Sequence, residues 1–353
     1  MSHLDPRLAA IDFARLARWI HQQGVADGEI GTPTLLAGGT QNLIVRFRCG
    51  HRELVLRKAA ATAYADGNET MRREARVLAA LAATPVPHAR LVAACAEDAV
   101  LGGAFYLMEP VDGFNLGVGM PQPHAGDPAL RRAMGFAMVD GLAALRQVDH
   151  VAVGLADFGH QGRQQEGYLA RQVDRWRAQL ESYVRYAGWP GMAGLPEVDA
   201  LGCWLQQHLP ASFRPGLQHG DYHLKNVMFR HDGPGLAAII DWELSTIGDP
   251  MIDLGWLLAT WRDADEPLHG SPIVVEPWSG FPTAAELVAC YAERTGADVS
   301  QAHWYAVFAC YKLALLLEGT YARACAGQAD PALGQRFHDN ASNLLLRAAR
   351  WTA

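Results

Sequence analysis

Between His219 and Glu243 the chain sets three polar groups at fixed spacing inside an apolar frame. His219-Gly-Asp-Tyr-His-Leu-Lys-Asn226 places an amide five residues after a carboxylate. Ile239-Ile240-Asp241-Trp242-Glu243 places a second carboxylate fifteen residues beyond Asn226. Val227-Met228-Phe229 reads as a short buried strand and Asp232-Gly233-Pro234-Gly235 as a turn; Leu236 to Ile240 reads as the partner strand, ending at Asp241. Such a hairpin is expected to return Asp241 beside Asn226, where one cation could touch both. Asp221 and Asn226 must face one cleft from a loop that reverses between them.

That trio matches the needs of phosphoryl transfer from Mg-ATP. One acid accepts the proton of the attacking hydroxyl, while an amide oxygen and a second acid hold the metal that neutralises the phosphates. The spacing therefore predicts Asp221 as base, with Asn226 and Asp241 as Mg²⁺ ligands.

Composition narrows the partners. A chain of 353 residues can bury a large core in one large or two modest domains. A net charge of −7 and a pI near 6.0 give no basic footprint for nucleic acid, so a small-molecule ligand is expected. Cys49, Cys95, Cys203, Cys290, Cys310 and Cys325 form no CxxC pair and have no histidine at metal spacing. They read as thiols of a reducing compartment. Acidic and basic residues interrupt the N-terminus, and no apolar run reaches the roughly 18 residues of a membrane span. The expectation is a cytoplasmic protein with no membrane association; oligomeric state is not legible. Only Lys58, Lys225 and Lys312 among the 30 basic residues are lysines.

Hydrophobic periodicity predicts a helix over 10–23, then apolar strands flanking the Gly38-Gly39 turn, a third strand over Glu53–Arg57, a helix over 69–83 ending before Pro85, and a strand over 105–108. Beyond 109 helices dominate, expected near 128–147, 164–187, 197–208, 283–294 and 301–325; Thr283 and Glu286 mark a capping box. The predicted domains are residues 1–109, binding nucleotide, and 110–353, carrying catalysis and substrate binding.

The strings GGTQN, LVLRK, REARVLAAL, FYLMEPVDG, HGDYHLKNVMF, IIDWELSTIGDPMIDLGWLL and YKLALLLEGTYAR run in order across residues 35–323. They resemble the aminoglycoside-phosphotransferase, choline-kinase-like family of small-molecule kinases, and within it the subgroup that occurs fused to acyl-CoA dehydrogenases. The resemblance implies an α+β, two-lobed protein-kinase-like fold, with a small β-rich N-lobe, a larger mainly helical C-lobe and ATP between them. It implies that Asp221 is the base or hydroxyl positioner and that His219 braces the loop. It implies also that the backbone of Glu109 and Val111 meets adenine, and that Gly38, Gly39 and Thr40, through Asn42, cover the phosphates. Strand alternation puts Val55 and Arg57 on one face, so Arg57 rather than Lys58 fits the phosphate-pairing position, with Glu74 its expected partner. Lys225 either neutralises the transferring phosphoryl group or faces solvent. Asp249 and Asp253 read as turn and helix-cap acids. Relatives often carry Leu-His where Leu145 is followed here by Arg146.

The function expected is ATP-dependent phosphorylation of a small-molecule hydroxyl, with a hydroxyacyl or CoA-linked metabolite as one candidate acceptor. The alternatives are an aminoglycoside-type antibiotic kinase and an inactive nucleotide-binding regulator. A protein kinase is disfavoured because no Ala-Pro-Glu segment follows Asp241.

Overall fold

The computed structural model describes residues 5, 7–36, 42–60, 67–159, 167–262 and 272–352. The chain divides into two compact units: Met1–Gly113 with Ala237–Ser245, and Phe114–Leu236 with Thr246–Ala353. The sequence boundary at 109/110 leaves Ala237–Ser245 with the second unit; by its contacts this segment belongs to the first.

The first unit opens with α1 (Phe13–Gln22), whose N-terminal amides are capped by Asp12, the side chain accepting from the Arg15 N–H at 2.8 Å. β1 (Thr34–Leu35), β2 (Asn42–Cys49) and β3 (Arg52–Ala59) follow, then α2 (Gly67–Leu81), β4 (Leu91–Cys95) and β5 (Phe105–Met108). The strands form one antiparallel sheet in the order β1-β2-β3-β5-β4. Gly50 turns β2 into β3 at φ +57, where a side chain would also strike the Asp27 carbonyl. Alternation sends Val45, Phe47, Leu54, Leu56, Phe105 and Leu107 into a core shared with Leu16, Trp19 and Ile20 of α1. Helix α2 packs against β3, β4, β5 and the 3₁₀ turn Trp242–Leu244.

The second unit holds α3 (Pro128–Arg146), α4 (Tyr168–Glu181), α5 (Val198–Gln207), β6 (Gly216–Gln218) and β7 (Val227–Phe229); the chain returns to the first unit in β8 (Leu236–Ile239), of which only Leu236 belongs to the second. After that come β9 (Thr246–Gly248), α6 (Met251–Thr260), α7 (Ala284–Thr295), α8 (Ala302–Cys325) and α9 (Pro331–Thr352). β6 pairs with β9, Leu217 opposite Ile247. The turn after β7 is closed by the Arg230 N–H on the Gly235 carbonyl at 2.9 Å, and β7 and β8 form the expected hairpin. Thr283 and Glu286 form the predicted capping box of α7. Helix α8 is the hub, packing on α4, α5, α6 and α9.

Two helices escape the periodicity. Every residue of α6 is buried, so it shows no 3.6-residue alternation to read. Helix α9 interleaves its buried Leu344, Leu345 and Ala348 with arginines and amides, and one of those arginines, Arg347, is itself buried. The predicted 164–187 helix is shorter, ending at Glu181 and continuing as a 3₁₀ turn, Ser182–Arg185.

Gly255 lets α6 meet α8: a Cβ there would collide with the Tyr305 carbonyl. Gly255→Ala is expected to destabilise the fold by about 1–3 kcal/mol, the usual cost of overpacking a tight core. Urea unfolding followed by circular dichroism checks this, and an unchanged midpoint would contradict the close approach.

Candidate active site

In the second unit, His219 to Asn226 form the loop from β6 to β7. The turn needs Gly220 at φ +87. The buried carboxylate of Asp253, inside α6, accepts the His219 N–H at 2.7 Å and the Gly220 N–H at 2.8 Å. Asp253 is thus no helix cap; it ties the loop to α6. Burial raises its pKa, opposed by His219 and these amides. The Asp221 N–H donates to His219 Nδ1 at 3.3 Å. Tyr222 is fully buried and donates to the Met138 carbonyl at 2.8 Å.

The Asp221 carboxylate is fixed on both oxygens. Trp256 Nε1 donates to Oδ1 at 2.8 Å and Asn226 Nδ2 to Oδ2 at 2.8 Å, with His223 Nε2 3.3 Å from Oδ1. Burial works against its charge, but His223, His219 and Trp256 outweigh it and hold Asp221 well below the ordinary carboxylate range. The group stays ionised. Asn226 gives its N–H groups to Asp221, including the Asp221 carbonyl at 3.0 Å. Its amide oxygen takes no part in these bonds. Asn115 holds the far end of the loop through the Lys225 and Val227 carbonyls at 2.7 and 2.9 Å. The half-buried Lys225 side chain forms no ion pair among the described residues.

In the first unit, Arg57 sits on the β3 face that alternation assigns it and is buried. Its Nη2 lies 3.0 Å from Glu74 Oε1, 2.6 Å from Asp241 Oδ1 and 3.9 Å from Glu243 Oε2. Tyr106, opposite Arg57 on β5, donates to Glu74 Oε2 at 2.7 Å. Burial acts against the Arg57 charge, but Glu74, Tyr106 and Asp241 raise its pKa well above normal. Burial, reinforced by Asp241 and Glu243, pushes Glu74 up to about 7 against the pull of Arg57. Asp241 stands at φ +67, a left-handed conformation uncommon outside glycine. The segment is held by the Ser245 hydroxyl on the Trp242 carbonyl at 2.6 Å, by Arg73 on the Ser245 carbonyl at 2.8 Å and by Asn42 on Glu243 at 3.3 Å.

Two observations show what this cluster fits. Glu74, Asp241 and Glu243 bring carboxylate oxygens within 4.8 Å of one another, a hard-oxygen set suited to Mg²⁺. Arg57 Nε is buried without a hydrogen-bond partner among the described residues, a donor left for an anionic oxygen. The motif spacing gives Glu243 no role; its position two residues after Asp241 is the signal for it.

The remaining predicted residues are placed as follows. The Glu109 N–H is taken by the Arg90 carbonyl at 2.9 Å, so of its backbone only the carbonyl is left for a base edge, and its side chain pairs with Arg52 at 3.2 Å. Val111 is half-buried. Lys58 turns away from Arg57, its Nζ 3.5 Å from the Ala59 carbonyl. Gly38, Gly39 and Thr40 lie outside the described residues. Asp249 caps α6 through the Met251 N–H at 3.0 Å and accepts the Tyr305 hydroxyl; burial brings it to about 6. Among the described residues no helix is long and apolar enough to cross a membrane.

Known proteins share this architecture. Residues 32–272 match the model of the phosphotransferase enzyme family. Acyl-CoA dehydrogenase family member 10 of Mus musculus is 32% identical over 301 residues, covering 84% of this chain and 27% of that protein. Family member 11 of Rattus norvegicus is 29% identical over 306 residues, covering 84% and 37%. The chain therefore spans well under half the length of these curated relatives. A crystal structure from Ralstonia eutropha, provisionally assigned as an aminoglycoside phosphotransferase, is 30% identical with a TM-score of 0.75, covering 96% of this chain and 99% of that one. The aminoglycoside phosphotransferase APH(4)-Ia, solved with AMP-PNP and hygromycin B, shares the fold at 14% identity and a TM-score of 0.58, covering 96% and 99%. The fold is α+β and two-lobed, protein-kinase-like, with a β-rich first unit and a mainly helical second. The chain belongs to the phosphotransferase enzyme family.

Proposed function

We propose that the protein transfers the γ-phosphoryl group of ATP to a hydroxyl of a small metabolite, with Asp221 as base. The observation that carries this reading is the ionised Asp221 carboxylate, oriented by Trp256 and Asn226 on its two oxygens. In this reading Asn226 and Asp241 hold Mg²⁺, Glu243 assists, and Arg57 meets phosphate oxygens. Bound Mg²⁺ would neutralise charge on the transferring group. Asp221 takes the hydroxyl proton as the acceptor oxygen forms its bond to phosphorus and ADP leaves with the electron pair of the broken bond. The nucleotide is supported by the solved neighbour that holds AMP-PNP, and the metal by the clustered oxygens of Glu74, Asp241 and Glu243.

For the acceptor we propose a hydroxyacyl group, possessing or lacking a CoA carrier. Support comes from the acyl-CoA dehydrogenase relatives and from Arg171 and Arg175, exposed on α4, which suit an anionic ligand better than a polycationic drug. The test is ADP release from MgATP across hydroxyacyl-CoAs, free hydroxy acids, sugars, amino alcohols and aminoglycosides. Turnover led by the hydroxyacyl compounds supports the reading. Turnover led by aminoglycosides replaces the acceptor, and MgATP binding with no turnover favours the inactive regulator.

Trp256→Phe keeps most of the buried ring but removes the donor to Asp221. A hydrogen bond to a charged group contributes about 1.5–3 kcal/mol, so kcat is expected to fall by about tenfold or more with little change in KM for ATP. Steady-state kinetics check this, and an unchanged kcat would mean the indole does not orient the base.

A further inference from the structure

Lys312, on α8, is a cation the motifs do not assign. Its Nζ lies 4.6 Å from the centre of the Trp256 ring and 5.3 Å from that of Trp176, and 3.5 Å from the Gly220 carbonyl. It forms no carboxylate ion pair among the described residues. A half-buried ammonium with one long hydrogen bond is a costly way to fill space.

The geometry makes Trp256 a spacer between two opposite charges. An indole ring has a negative face and a positive edge. Trp256 offers its face to Lys312 and its N–H edge to Asp221, 2.8 Å from Oδ1. Both contacts are favourable, and they hold ammonium and carboxylate beside one ring without letting them collapse into a pair that would block the base. The same ammonium reaches the carbonyl of Gly220, whose N–H is held by Asp253. Gly220, the residue before Asp221, is thus held through both its N–H and its carbonyl.

Resting on the phosphotransferase reading, we infer that Lys312 is a positioning residue for the reaction, acting through Trp256 and the Gly220 carbonyl to fix Asp221 without neutralising it. Its charge is sensitive to alkali. Burial lowers its pKa to about 8; Asp253 from α6 and Asp221 from the loop resist this, while Arg175 from α4 adds to it. The positive charge is present below about 8 and is lost as pH rises through that value.

The experiment measures ADP release from MgATP with water as acceptor across the neutral-to-alkaline range, for wild type, Lys312→Arg and Lys312→Met. Wild-type kcat is expected to decline with a midpoint near 8. In Lys312→Arg, which stays charged, that decline should move to higher pH. Lys312→Met should lose about tenfold or more in kcat at neutral pH and lack the decline, with KM for ATP changed far less. A folded Lys312→Met with wild-type kcat and the same alkaline limb overturns the inference. Should that variant fail to fold, identical pH profiles for wild type and Lys312→Arg overturn it alone. Absence of any wild-type turnover, in water or with the acceptor panel, overturns the phosphotransferase reading and this inference with it.

Discussion

Asp221→Ala is expected to lower kcat by about 10²–10⁴-fold, the range for loss of a positioned general base. Three donors converge on this carboxylate, and together they keep it charged despite burial. Because its pKa is depressed, the charge is present throughout the neutral range and is lost only well below the ordinary carboxylate range, so Asp221 should give no acidic limb near neutrality. The alanine variant leaves Trp256 Nε1 and Asn226 without their shared partner, but nucleotide contacts elsewhere are untouched. KM for ATP should therefore move little while kcat collapses, the signature of an interaction made for the transition state. Near-wild-type turnover would remove Asp221 from the chemistry.

Asp241→Ala should act on binding instead. Asp241 is the acid held in a left-handed conformation against Arg57 at 2.6 Å, with Glu243 two residues on. Removing it takes away the proposed metal carboxylate and leaves Arg57 paired with Glu74. Affinity for ATP measured calorimetrically with magnesium should fall at least about 100-fold, close to 3 kcal/mol. The same titration without magnesium should show a much smaller difference between wild type and variant. Unchanged affinity with magnesium present would contradict the metal role.

Much of this was legible because it is local. The spacing from Asp221 to Asn226 to Asp241 can be counted along the chain, and the period of two along β3 chooses Arg57 over Lys58. The Arg57–Glu74 pair was foreseeable because a strand and the helix after it usually pack together. What stayed hidden is long-range. Trp256 and Asp253 lie on a helix buried on every side, which has no amphipathic pattern, so their bonds to the 219–221 loop could not be read. Lys312 stood out only as one of three lysines; its place between two indoles depends on α4, α6 and α8 packing together. The left-handed backbone of Asp241 has no sequence signal, since Asp is common in ordinary turns as well.

The central claim is that Asp221 drives phosphoryl transfer from ATP to a small hydroxyl compound. Its most direct test is mass spectrometry of acceptor products formed from MgATP across the metabolite panel, with wild type and Asp221→Ala side by side. The account predicts a phosphorylated acceptor, strongest among hydroxyacyl compounds, formed by wild type and reduced by about 10²-fold or more in the variant. Equal product from both proteins, or none from wild type on any acceptor, would contradict it.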